Sequence, residues 1–118
     1  MSNSKERGIL NFFIFFDIKE KEYVGFCIDL GILKFGTDLE KMKSDLEEAA
    51  QGYVKNIGQY DLSDKLLNQH EVIPEEYRMY FDTYLKILTD RANKSYHKKF
   101  INTLHITEPQ IFSTMAYA

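Results

Sequence analysis

Hydrophobic positions in the first half of the chain change from a two-residue to a helical spacing near Gly36. Residues 9–18, 22–29 and 32–36 are short and rich in β-branched and aromatic side chains. Such segments favour strands, and their brief connections favour an antiparallel meander. Residues 38–57 then repeat apolar side chains at three- and four-residue steps, which predicts an amphipathic helix. The predicted stripe consists of Leu39, Met42, Leu46, Ala49, Tyr53 and Ile57.

Signals for helix ends flank this stripe. Thr37 with Glu40 has the spacing of a capping box, and Asp38 is an alternative N-cap one residue later. Gly58 predicts the end of the helix, because glycine readily adopts the conformation that terminates helices.

The second half of the chain contains another amphipathic stripe. Pro74 suits a first helical position, which predicts a helix over residues 74–90. Its stripe consists of Tyr77, Tyr80, Phe81, Tyr84, Leu85 and Leu88. The polar residues 1–8 are expected to fray, and residues 59–73 are expected to form a loop with a short helix. Residues 100–106 fit either a helix or a strand, and residues 111–117 predict a terminal strand.

The first predicted strand is apolar on both faces. Phe12, Ile14 and Phe16 alternate with Phe13 and Phe15, whereas a strand covered on one side alternates apolar and polar residues. The first helix covers only one face. We therefore expect the second long helix to fold over the other face, with packing by a second chain as the alternative. We also expect a homodimer built around the C-terminal segment.

Together these elements predict an α+β fold. It has an antiparallel sheet of three to four strands with one helix packed on it, followed by a C-terminal helical extension and a terminal strand. Residues 1–59 form the β-β-β-α core and residues 60–118 the extension. A chain of 118 residues fits one domain better than two, so both parts are assigned to the same domain.

Composition and charge narrow the functional classes. A hydrophobic content of 44% is too high for a disordered chain, and a net charge of −3 with neither half basic does not favour nucleic-acid binding. The densest basic cluster, Lys94, His97, Lys98 and Lys99, is interpreted as a solvated loop or helix end. A polar start, a single Cys27 and no long apolar run indicate a cytoplasmic protein without a membrane span.

Few residues are spaced for chemistry. His70, His97 and His105 each have no Cys and no second His within four residues. Cys27 lies within a predicted strand, where a small buried side chain is the simpler interpretation. Phosphate-binding and nucleophile-elbow motifs do not occur in the sequence. We therefore predict no catalytic, cofactor-binding or metal-binding residues, and no enzymatic activity.

Asp17 and Asp29 give the one competing prediction. They lie at the ends of neighbouring predicted strands, where two carboxylates hold a divalent cation in some nucleases. The alternative is that both residues form turns, in which aspartate is favoured because it hydrogen-bonds the local backbone.

The stretch from Tyr23 to Tyr53 resembles the HicB-like antitoxin family. That family shares an acidic residue followed by leucine after a strand, a glycine- and threonine-containing helix start, and a helix with glutamate, alanine and a later tyrosine. The matching residues here are Cys27-Ile28-Asp29-Leu30, Phe35-Gly36-Thr37-Asp38-Leu39-Glu40 and Leu46-Glu47-Glu48-Ala49-Ala50-Gln51-Gly52-Tyr53. Thr37 and Asp38 stand in the opposite order to the family's common pattern.

The resemblance implies a protein-binding module that masks a small HicA-like ribonuclease toxin. Many relatives carry a DNA-binding domain after this one, but residues 60–118 end rather than begin with a strand and match neither usual type, so DNA binding is not expected. Two alternatives stay open: a metal-dependent nuclease, because the family's core has been likened to a partial ribonuclease H fold, and a self-associating domain with no toxin partner.

Overall fold

A computed structural model of the chain describes residues 3–5, 8–89 and 94–115. Its centre is one four-stranded sheet in the order β3-β2-β1-β4, in which all neighbours are antiparallel. The strands are β1 (Ile9–Asp17), β2 (Glu22–Cys27), β3 (Ile32–Gly36) and β4 (Gln110–Met115). The predicted α+β class, the antiparallel meander and the terminal strand are confirmed.

Helix α1 spans Leu39–Gln59. Asp38 is its N-cap, because its carboxylate accepts a hydrogen bond of 3.1 Å from the Lys41 N–H. Gly58 lies inside the helix, so the prediction that it ends the helix is wrong. The last turn is closed by the Tyr60 N–H, which donates to the Asn56 carbonyl at 3.0 Å.

Helix α1 packs on one face of the sheet. The stripe that it buries advances mainly in four-residue steps and consists of Met42, Leu46, Ala50, Val54 and Ile57. The sequence pattern missed Ala50 and Val54 and included Ala49, which is half-buried, because the buried stripe is slightly rotated from the predicted one. Facing the helix are Leu10, Phe12 and Ile14 of β1 and Cys27 at the end of β2.

The opposite face is covered by the same chain. Helices α2 (Glu75–Thr89) and α3 (Lys94–Leu104) pack over the other side of β1 and β2. The buried cluster includes Phe13, Phe15, Val24, Phe26, Ile73, Phe81, Tyr84 and Ile106. The ring centroids of Phe13 and Phe81 are 5.6 Å apart. Intramolecular cover of the second face is therefore confirmed.

Several details of the second half differ from the sequence prediction. Pro74 precedes α2, and its carbonyl accepts bonds from the first turn. Leu85 and Leu88, predicted in the buried stripe, are exposed, whereas Phe81 and Tyr84 of the same stripe are buried. The segment that fitted either helix or strand is helical through Leu104, and the basic cluster lies on α3. Position 90 and positions 116–117 lie outside the described residues.

The predicted frayed terminus is partly wrong. Asn3 is buried, and its Nδ2 donates to the Leu67 carbonyl in the short 3₁₀ helix Asp64–Leu67. Its Oδ1 accepts from the Ile9 N–H at 2.9 Å. These bonds anchor the start of β1 beside the loop that follows α1.

Candidate functional site

The two aspartates of the nuclease alternative lie at opposite ends of β1. Asp17 ends that strand, whereas the Asp29 carboxylate accepts a bond of 2.6 Å from the N–H of Asn11 near its start. At about 3.4 Å per residue, the intervening stretch of strand separates the two groups by roughly 20 Å. They cannot share a cation, and the prediction that they pair is wrong.

Asp29 is a structural residue. Its carboxylate accepts from both the backbone and the side chain of Asn11, and its carbonyl accepts from the Gln69 N–H at 2.6 Å. Burial raises the pKa of this carboxyl above its usual value. Asp29 therefore connects the start of β1, the turn between β2 and β3, and the loop before α2. The turn interpretation of Asp17 also holds, since its Oδ1 accepts from the N–H groups of Lys19 and Glu20.

Cys27 is fully buried against helix α1, which confirms the interpretation of a small core side chain. Burial raises the pKa of its thiol to about 12. A thiol of this kind stays protonated at neutral pH and is not available as a nucleophile.

His97 belongs to a network that joins three segments. Its Nε2 lies 2.5 Å from one carboxylate oxygen of Glu108, and the Tyr84 hydroxyl donates to the other oxygen. The network links α2, α3 and the segment before β4. Across residues 3–5, 8–89 and 94–115, no group of three or more His, Cys, Asp or Glu side chains is placed to hold a metal ion.

Hydropathy adds one negative finding. Within the part of the chain that the structure describes, no helix combines the length and the apolar character needed to cross a bilayer.

The open part of the sheet is strand β3. It pairs with β2 on one side and has no strand on its other side among the described residues. Lys34 pairs with Gly25, which faces α1, so the Lys34 side chain lies on the α1 side. Phe35 pairs with Val24 and lies on the opposite side, where 53% of it is exposed.

A groove runs between this edge and the outer surface of α1. It consists of two adjoining hollows of about 230 and 550 Å³ that share Lys34 and Asp45. We name it the β3–α1 groove, and its lining includes Lys34, Gly36, Asp38, Lys41, Asp45, Glu48, Gly52, Tyr53 and Asn56. At Gly52, apart from the adjoining backbone of its own helix, a Cβ would meet no atom of the described residues within 4 Å. At this position the floor of the groove is open helix backbone.

One signal for this groove was present in the sequence and was missed. A glycine inside a helix destabilises it by roughly 0.5–1 kcal/mol relative to alanine. Gly52 lies near the middle of α1, and nothing in the described chain requires the absence of a side chain there. A helix glycine that the fold does not require indicates that the surface above it is used for binding.

Comparison with known proteins identifies no relative, since no protein-family model, no curated protein and no solved structure matches the chain.

Proposed function

We propose that this domain is a non-catalytic protein-binding module of the antitoxin type, which binds and masks a small HicA-like ribonuclease toxin. The observation that carries the proposal is the β3–α1 groove. The residues that resemble the HicB-like family, from Tyr23 to Tyr53, are those that build β2, β3 and most of α1. The groove is therefore the open surface of the same segment on which the resemblance rests.

The charge of the groove agrees with such a partner. A ribonuclease binds a polyanion and presents cationic side chains to it. Three carboxylates line the groove, Asp38, Asp45 and Glu48, against two lysines, Lys34 and Lys41. Asp45 and Glu48 lie on its α1 wall and are both exposed. Carboxylates placed opposite cationic groups direct a partner into register and raise the rate of association.

Inhibition of RNA cleavage tests this function. The neighbouring genes are searched for a HicA-like toxin, the toxin is purified, and its ribonuclease activity is measured with increasing amounts of the domain. We expect stoichiometric inhibition. Full ribonuclease activity in the presence of excess domain would contradict the proposal.

Two adjacent glutamates provide a matched pair of variants for the same assay. Glu47 and Glu48 are both exposed on α1, but only Glu48 lines the groove. Glu48→Lys should weaken binding of the toxin about fivefold, and Glu47→Lys should have a much smaller effect. If the two variants weaken binding equally, the toxin does not bind in the β3–α1 groove.

Self-association is a second candidate function, favoured by the position of β4. This strand forms the other edge of the sheet, and it is the C-terminal segment around which a homodimer is expected. Two copies of β4 related by a two-fold axis would join two sheets into one. Sedimentation equilibrium over a range of concentrations measures this directly, and a monomer at every concentration would contradict it.

A further inference from the structure

We infer that the free edge of β3 accepts an extended segment of the partner protein as a fifth strand, in which basic and apolar side chains alternate. The inference rests on the proposed function, because it specifies how the partner is recognised. Strand addition uses main-chain hydrogen bonds for affinity and alternating side chains for specificity.

The backbone of β3 is suited to this mode. An edge strand presents unpaired N–H and C=O groups, and proteins usually protect such edges with charge, proline or a covering segment. Strand β3 carries one charged residue, Lys34, and no proline. Helix α1 lies beside the strand and leaves the β3–α1 groove open along it.

The two sides of the edge differ in chemistry, which determines the pattern of the incoming strand. Successive side chains of a strand point to opposite faces. On the α1 side, the incoming side chains meet three carboxylates, Asp38, Asp45 and Glu48, and one lysine, Lys41, so this face of the groove is acidic overall. On the other side, they meet the exposed ring of Phe35. Basic residues therefore suit the first face and apolar residues the second.

Lys34 refines this pattern. Its side chain lies on the α1 side of β3, and like charges placed directly opposite each other destabilise a strand pair. The partner residue opposite Lys34 should therefore be small and uncharged, with basic residues two positions away on each side. The five-residue pattern is basic, apolar, small, apolar, basic, which reads the same in both chain directions.

Gly52 explains how a long basic side chain fits on the α1 side. None of the described residues fills the space above its Cα, so a partner's side chain can lie against the helix backbone and reach Glu48. A residue with a long side chain at position 52 would fill that space.

Amide hydrogen exchange with a designed peptide tests the inference. The peptide contains Lys-Val-Ser-Val-Lys between short polar flanks and has capped ends, and the control is the same peptide with every backbone nitrogen methylated. We expect added protection of amides in β3, and no added protection with the control. Gly52→Gln should weaken binding of the peptide about tenfold and Gly52→Ala less, while circular dichroism shows both variants folded.

Three outcomes would overturn the inference. They are an absence of peptide binding, equal binding of the methylated control, and protection confined to residues outside β3. The toxin assay is independent of these results. If the toxin is inhibited while exchange in β3 stays unchanged in the toxin complex, the strand-addition mode fails and the proposed function stands.

Discussion

The contact between helix α1 and strand β2 fixes the wall of the groove, and a pair of substitutions tests it. A Cβ built on Gly25 would lie 2.8 Å from Cδ1 of Leu46 and 2.8 Å from the sulfur of Met42. Leu46 is fully buried. Leu46 therefore occupies the space that a side chain at position 25 of β2 would need, so the two residues should be energetically coupled.

The expected magnitudes follow from packing. Leu46→Ala should lower the free energy of unfolding by about 2–5 kcal/mol, because it leaves a cavity in a fully buried site. Gly25→Ala adds a methyl group to a filled space and should cost about 1–3 kcal/mol. In the double variant the new methyl group occupies part of the space left by Leu46. The double variant should therefore be more stable than the sum of the two effects predicts by about 1–2 kcal/mol.

Urea unfolding followed by circular dichroism measures all four proteins, and this probe suits a chain without tryptophan. A shift in midpoint at constant m-value gives each change in the free energy of unfolding. If the two effects add to within about 0.5 kcal/mol, Leu46 and Gly25 are not in contact and the packing argument is refuted. A loss below about 1 kcal/mol for Leu46→Ala alone would place the leucine outside the core.

Three further predictions concern the fold and the groove. Gly52→Ala should stabilise the free domain by about 0.5–1 kcal/mol, because alanine favours the helix and its methyl group meets none of the described residues there. Thermal unfolding should show a rise of about 2–4 °C in Tm. A fall in Tm would mean that the space above position 52 is not open. Asp29→Asn tests the buried carboxyl. Because burial raises its folded pKa above the unfolded value near 3.9, the wild type should lose stability relative to the variant as pH rises from about 4 through the folded pKa. Urea midpoints against pH measure this, and an opposite slope would refute it. Deleting residues 60–118 should expose Phe13 and Phe15, so that the remaining fragment binds a hydrophobic dye and self-associates. A soluble, monomeric fragment that does not bind the dye would show that α2 and α3 are not needed to cover this face of the sheet.

The sequence predicted those parts of the fold that depend on local periodicity. The three N-terminal strands and α1 were placed within a few residues of their observed bounds. The spacing of apolar residues that distinguishes a strand from a helix can be seen within a short stretch of sequence. The need to cover both faces of β1 was also visible, because Phe13 and Phe15 alternate with Phe12 and Ile14. The end of α1 was placed too early, because Gly58 continues the helix. The Tyr60 N–H donates to the Asn56 carbonyl and so extends the helical hydrogen bonding past Gly58.

The groove was not predictable in the same way, because it depends on contacts that are distant in sequence. Strand β4 pairs with β1 and occupies that edge of the sheet, which leaves β3 as the opposite edge. The sequence of residues 32–36 alone does not show that β3 is an edge strand. The separation of Asp17 from Asp29, in contrast, already follows from the predicted antiparallel meander. The C-terminal ends of two neighbouring antiparallel strands lie at opposite ends of the sheet.

Gly52 connects stability with function. In the free domain a glycine near the middle of a long helix lowers stability, and its surroundings give no reason to exclude alanine. A partner that lies against the helix backbone supplies that reason, because its side chain occupies the space that a Cβ would fill. The same substitution, Gly52→Ala, should then raise the stability of the free domain and weaken binding of the partner. A stabilised variant with unchanged affinity would separate the two effects and remove Gly52 from the interface.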